Sequence, residues 1–429
     1  MRRMERTIVV VAFAAFIVAV VTPAVAAAEK LWVSPSATVT GNGKSCTEPG
    51  FNAIQGAITK ASSGATIQVC SGTYTEQLTI TQSVSLKAAG TPVVKLPAAP
   101  AKSTTTCASA LTSGSPTPTT EAAQNEVEVC GAVTVKISGL AIDAAWPEGT
   151  CNDDLYGIFV GGGGNLSLSN SRILAAGAQP INGCQGGIGI EIGSGRTSPA
   201  QTGTATLANV LVEGYQKNGI NVIASGSKAT LKSVTVKGAG PTNQIAQNGI
   251  EIGEGAEASV SKSSSSDNVY SPKTAASTGM IIFESSVGPA VTNSTFENND
   301  VGIYYTESGT ATLTVTSSKF LNSTYEGVFF EEGNVALSKD TFNGGESGIG
   351  LYQHEGETSG PKGTGNKLTI ENMSSYAVHG YSDNAVGDPP ASVFKISNSK
   401  ISNNPAGASV QHSVFSESNT LEIVTEKDT

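Results

Sequence analysis

Two stretches set the frame: Gly219-Ile-Asn-Val-Ile-Ala-Ser-Gly-Ser-Lys-Ala-Thr-Leu231 and, 30 residues on, Gly249-Ile-Glu-Ile-Gly-Glu-Gly-Ala-Glu-Ala-Ser-Val260. Each opens on Gly, alternates apolar and polar residues, passes through a polar turn and resumes the alternation. The same opening stands at Gly157, Gly189, Gly279, Gly302, Gly327, Gly348, Ala377 and Gly407, with successive spacings of 32, 30, 30, 30, 23, 25, 21, 29 and 30 residues. A strand period of two puts the first and third residues after the Gly on one face: Ile190/Ile192, Ile220/Val222, Ile250/Ile252, Met280/Ile282, Ile303/Tyr305, Val328/Phe330 and Ile349/Leu351. No coil of 20–32 residues can bury that face alone, so the coils must stack.

A second strand recurs as Leu166-Ser-Leu, Ala205-Thr-Leu, Ala229-Thr-Leu, Ala258-Ser-Val, Ala311-Thr-Leu and Leu368-Thr-Ile. Asn170, Asn209, Asn293, Asn372 and Asn398 follow it; Asn tolerates left-handed backbone, so the column reads as a turn ladder. Third-strand inward positions are Ile173, Phe296, Phe320, Phe342, Ile401 and Phe415. The expected fold is all-β, a right-handed parallel β-helix. Composition agrees: 14% charged residues and 49 Gly suit short strands and turns better than helices.

Upstream, residues 52–61 form an amphipathic pattern closed by Gly64, a short helix suited to cover the open end of the first coil. Residues 97–124, rich in Pro, Thr and Ser, read as a loop leaving the solenoid. The chain begins Met1-Arg-Arg-Met-Glu-Arg6, continues with an uncharged run from Ile8 to Val21, and reaches Ala24-Val-Ala-Ala-Ala28. This is the pattern of a secretory leader over 1–28; the run is shorter than the roughly 18–20 residues a membrane span needs. The expected organisation is leader 1–28, N-terminal cap 29–63, β-helix 64–424 and tail 425–429. The expected location is extracellular or at the cell surface, with no membrane span after cleavage.

Residues 29–429 hold 22 Lys and Arg against 34 Asp and Glu, three arginines and one glutamate lying in the leader. So acidic a chain, with only Arg172 and Arg196 as arginines, is a poor partner for nucleic acid. Six cysteines, Cys46, Cys70, Cys107, Cys130, Cys151 and Cys184, fit an oxidising compartment. A solenoid brings sequence neighbours together, which favours Cys46–Cys70, Cys107–Cys130 and Cys151–Cys184. Zinc is disfavoured because no pair has Cys-x-x-Cys spacing.

The helix followed by Thr66-Ile-Gln-Val, Gly72-Thr-Tyr-Thr-Glu and Leu78-Thr-Ile resembles the start of pectin lyase-like β-helix proteins, and Asn293-Ser-Thr-Phe-Glu-Asn-Asn-Asp-Val-Gly-Ile303 resembles their generic repeat. The resemblance covers about residues 31–424 and implies the fold. Its enzyme families carry motifs that this sequence departs from. Arg172 and Arg196 stand outside any lyase motif, Asn152-Asp-Asp154 is not followed by Gly-His-Gly, no Asp-Phe-Ile-Phe-Gly segment exists, and the epimerase signature finds only Gln353-His-Glu355.

What coil building leaves over is a column five positions after each opening Gly: Glu254, Glu284, Glu307 and Glu332, then Gln353. Phe283, Tyr304, Phe329 and Tyr352 flank it, with Glu251, Glu331 and Glu355 close by. Parallel coils lie about 4.8 Å apart, so the carboxylates would form a line beside aromatic faces, an arrangement suited to a polysaccharide. The competing reading is a row of solvated turn residues. The expectation is secreted polysaccharide binding without catalysis. The alternatives are a polysaccharide hydrolase or lyase using two of these glutamates, and a structural adhesion protein. Clustered carboxylates would also suit calcium, but no Asp-x-Asp-x-Asp-Gly loop is present, so no metal or other cofactor is expected. His354, His379 and His412 are scattered, with no Ser or Cys partner for a nucleophilic triad.

Overall fold

The computed structural model describes residues 29–36, 39, 43–112, 120–146, 154–354, 360–382, 393–410 and 421–423, and side chains up to 405, those of 381–382 apart. The expected leader, Cys151, Glu355, His412, Phe415 and the tail 425–429 lie outside the described residues.

Among the described residues thirty-two strands join in one hydrogen-bonded network, and every strand pairing in it is parallel. The opening residues stack in register: Ile158, Ile190, Ile220, Ile250, Met280, Ile303, Val328, Ile349 and Val378 are successive partners. None of them is more than 1% exposed. The second sheet stacks Leu168, Leu207, Leu231, Val260, Val291, Val315 and Leu337. The third stacks Ile173, Val212, Val236, Ser265, Phe296, Phe320, Phe342, Ile370 and Ile401. The three inner faces meet in one continuous core.

The turn between the second and third strands puts Asn170, Asn209, Ser233, Lys262, Asn293, Ser317, Lys339, Lys367 and Asn398 at positive φ. Asn209 Nδ2 donates to Asn170 Oδ1 at 3.4 Å, but Ser and Lys fill the same place elsewhere, so the backbone of the coil forces the conformation. Asn372 belongs to another column. Lys362–Asn366 is the second strand of its coil and Thr369–Glu371 the third, so Leu368-Thr-Ile370 forms part of the third sheet. Asn372 sits at the next corner, bonded to Asn343 at 3.1 Å and Asn403 at 3.4 Å.

A buried ladder of hydroxyls runs behind this turn. Ser263 Oγ accepts from Val234 N, Ser294 Oγ from Ser263 N and Ser318 Oγ from Ser294 N, at 3.0–3.2 Å. Asp340 takes over, accepting from Ser318 N at 2.7 Å and Ser338 N at 2.8 Å. Each rung satisfies an amide that the sheets cannot reach, which is why small polar residues repeat there.

The N-terminal helix spans Ile54–Lys60 and buries Ile54, Ala57 and Ile58 in the core of the first coil. Its free amides are capped from outside the helix, by Glu76, whose carboxylate accepts from Ile54 N at 2.7 Å and Gln55 N at 2.9 Å. Glu76→Ala should cost about 1 kcal/mol, as loss of a cap does, measurable as a lower midpoint in urea. Cys46–Cys70 and Cys107–Cys130 are disulfides, with Cα separations of 5.6 and 5.8 Å. Cys184 is disulfide-bonded too; its expected partner Cys151 is outside the described residues. Within the 97–124 excursion Leu111–Thr112 pairs with Thr120–Glu121. Cys107, Ala108, Leu111 and Ala123 build a second small core on the outside of the opening sheet, against Tyr156 and Phe159. Among the described residues no helix is long and apolar enough to cross a membrane.

Candidate functional site on the outer face of the opening sheet

The residue two places after each opening Gly points away from the core. This outward column reads Glu128, Phe159, Glu191, Asn221, Glu251, Ile281, Tyr304, Phe329, Gly350, His379. It divides into a roofed half and an open half.

In the roofed half, Glu191 is 3% exposed and Asn221 4%. Arg196 pins the roof: it is ion-paired with the buried Asp154, and its Nε donates to Thr112 O at 2.8 Å, while Thr112 N donates to Arg196 O at 2.7 Å. Burial, reinforced by the charge of Glu251, pushes the Glu191 carboxyl up to about 8. Beside it runs an amide ladder one position before the opening Gly. Asn218 Nδ2 donates to Glu251 Oε2 at 2.7 Å, Asn248 Nδ2 to Asn218 Oδ1 at 3.2 Å, and Thr278 Oγ1 to Asn248 Oδ1 at 2.9 Å. Burial raises Glu251 against the opposing effect of Lys217, whose own pKa burial lowers.

In the open half the rings of Tyr304 and Phe329 lie 5.4 Å apart, tilted by 42°, and both are part-exposed. The next outward column carries Gly253, Phe283, Thr306, Glu331 and Tyr352. Thr306 Oγ1 donates to Glu331 Oε2 at 3.0 Å, and His354 Nε2 lies 3.2 Å from the same oxygen. Tyr352 meets the His354 ring edge-on at 4.6 Å. His379 Nε2 is 3.3 Å from Glu326 Oε1, and Tyr376 stacks on the His379 ring at 5.4 Å. Burial, then the nearby Glu331, pushes the Tyr304 phenol well above its ordinary range, so it stays protonated.

The residues singled out from sequence therefore occupy three columns. Tyr304 and Phe329 share the first outward column; Phe283 and Tyr352 stand in the second. The Phe283 ring lies across the bare Gly253 of the preceding coil, where a Cβ would come within 2.2 Å of it. Glu254, Glu284 and Glu307 are the turn residues themselves, at φ 54°, 49° and 50°, in the place that Gly162 and Ala224 take in earlier coils. In the Glu332 coil Gly333 takes the positive φ, at 104°. Glu254, Glu284 and Glu307 are exposed and Glu332 is part-exposed. Sequence reading passed over Glu191, the Asn218–Asn248 ladder and the Glu326–His379 pair. The repeated Asn-Gly at 218–219 and 248–249 was the available signal for the ladder. Among the described residues no three His, Cys, Asp or Glu side chains converge as a metal site.

With this geometry in view, comparison with known proteins gives a consistent result. A family described as "Right handed beta helix region" matches residues 156–360. The structure of the periplasmic alginate epimerase AlgG is similar at TM-score 0.54 and 11% identity, over 84% of this chain and 77% of that one. The A-module of the Azotobacter vinelandii mannuronan C-5 epimerase AlgE4 is similar at TM-score 0.53 and 11% identity, over 86% of this chain and 94% of that one. No curated protein matches in sequence. At such identities the likeness is one of fold. Together with the stacked register of its coils, it establishes the fold of the chain as a right-handed parallel β-helix.

Proposed function

We propose that this protein binds a polysaccharide outside the cytoplasm, along the open half of the outer face of its opening sheet, without cleaving it. The observation that carries the reading is the part-exposed Tyr304–Phe329 ring pair with the Glu331 carboxylate in the adjacent column. Ring faces stack on the apolar faces of sugars, and carboxylates accept from hydroxyls. Glu254, Glu284, Glu307 and Glu332 border this strip, one per coil, and Phe283 and Tyr352 extend its aromatic surface. Two proteins of the same fold act on alginate and mannuronan by name, which supports a polysaccharide as the class of ligand. The leader pattern over 1–28 and the disulfides support export.

Binding should appear on a panel of soluble polysaccharides in affinity electrophoresis. Tyr304→Ala and Phe329→Ala should each weaken it about five- to tenfold, the equivalent of roughly 1 kcal/mol per lost stacking platform. Unchanged migration of both variants would remove the site from this face. A second reading, a polysaccharide-active enzyme, draws support from the Glu326–His379 pair, in which a carboxylate beside an imidazole can hold it for proton transfer. New reducing ends or unsaturated products that vanish in His379→Ala would establish that reading in place of the first.

A further inference from the structure

We infer that the polysaccharide is one of amino sugars with free, protonated amines, rather than a polymer of uronic acids; this rests on the polysaccharide reading and narrows it. The argument is charge complementarity along one face. The stretches 249–254, 279–284, 302–307, 327–332 and 348–353, which make the opening strands and the turn after them, contain six glutamates and no lysine or arginine. None of Glu254, Glu284, Glu307 and Glu332 has an ion-pair partner among the described residues. The described lysines of these coils lie off these stretches: Lys262, Lys339 and Lys367 are in the turn between the second and third strands, Lys319 opens a third strand and Lys362 a second, and Lys273 lies over the Tyr325 ring at 5.8 Å. A uronate chain laid along the solenoid axis would meet a like charge at nearly every coil, about every 4.8 Å, whereas an amine-bearing chain would meet an acceptor.

A second, separate observation points the same way. At the roofed end of the same column, Glu191 Oε2 and Asn221 Oδ1 have no hydrogen-bond partner, although their side chains are 3% and 4% exposed. The Asn221 oxygen can only accept, so what would satisfy it is a donor. The rings of Tyr304 and Phe329 add to the preference, since a cation near an aromatic face is attracted by the ring quadrupole.

The test is calorimetric, with the full chain at mildly acidic pH and three probes: a glucosamine oligomer, its N-acetylated counterpart of equal length, and an alginate oligomer. The glucosamine oligomer should bind at least about tenfold more tightly than the acetylated one at low salt, and the gap should close as salt screens the charges. Glu254→Gln/Glu284→Gln/Glu307→Gln, checked for an unchanged far-UV spectrum, should remove most of that preference. Equal binding of the two oligomers, or tighter binding of alginate, would overturn the amine inference while leaving the polysaccharide reading intact. A preference for the amine that survives the triple substitution would also overturn it, assigning the effect to the chain's overall negative charge. Failure of all three oligomers to bind would sink both readings.

Discussion

Raising the pH from 4.5 through 9 is expected to remove several kcal/mol of folding stability, the reverse of ordinary acid denaturation. Two fully enclosed carboxyls cause it. Glu126 is 0% exposed, neither of its oxygens has a partner, and burial, with the charges of Asp143 and Glu76 added, pushes it up from 4.5 to about 9. Glu191 is pushed to about 8 by burial and by Glu251 and Glu254, with Asn221 and Arg196 acting in the opposite direction. The folded chain therefore holds two protons that the unfolded chain releases above about 4.5. Stability is fully present below that pH, declines as pH rises, and levels off only above the folded-state values. At about 1.4 kcal/mol per unit, the loss reaches roughly 6 kcal/mol at Glu126 and roughly 5 kcal/mol at Glu191. Denaturant titrations across the range should show the slope in the wild type, and Glu126→Gln and Glu191→Gln should each flatten part of it. A wild-type profile flat from pH 5 to pH 9 would mean that neither carboxyl stays protonated at neutral pH.

Phe320→Ala should be the most damaging single truncation in the core, at about 3–5 kcal/mol. Its ring is the middle of three parallel rings, 5.3 Å from Phe296 and 4.7 Å from Phe342, with interplanar angles of 8° and 10°. The stack also bears on the opening glycines. A Cβ on Gly302 would lie 2.8 Å from Phe320 Cδ1, and one on Gly327 2.6 Å from Phe342 Cδ1. In every coil from Gly157 to Gly348 a Cβ would also come within 2.3–2.8 Å of the carbonyl oxygen of the next coil's opening residue, so close backbone approach, with the ring added in these two coils, is what keeps Gly there. Since each coil touches only its neighbours, the loss should stay local. Hydrogen exchange should accelerate around residues 295–350 and remain slow near residue 200. Uniform acceleration along the chain would contradict a stack of nearest-neighbour units.

Much of this was legible in the sequence. The opening Gly with apolar residues one and three places on gave both the parallel register and the inward face, because strand alternation is a local property. The coil boundary at 362–372 was misread because Gly363 and Gly365 hold inward positions of the second strand, while Phe394 from the next coil fills the space they leave. A pattern search for apolar residues passes over such a strand. For the site, sequence placed the carboxylates and rings near one another but could not divide them into columns. Tyr304 and Phe283 are both outward-facing, yet they stand two residues apart along their strands. Nor could it foresee that the 97–124 excursion would cover Phe159 and leave Tyr304 open, because a roof is made by loops whose path has no period. Glu126 was invisible for a related reason: it stands in register with Gly157, in the column where the later coils hold Gly or, at 377, Ala.

The capped and cross-linked first coils also set a direction for assembly. Helix Ile54–Lys60 closes one end of the stack, and Cys46–Cys70 and Cys107–Cys130 fasten the coils that follow. Every later coil pairs in parallel with the one before it, and chain synthesis delivers the coils in that same order. The N-terminal unit thus offers a fixed edge onto which the coils that follow can add as they emerge. A chain lacking its C-terminal coils should still order its first ones, whereas one lacking that unit should have no such edge on which to begin.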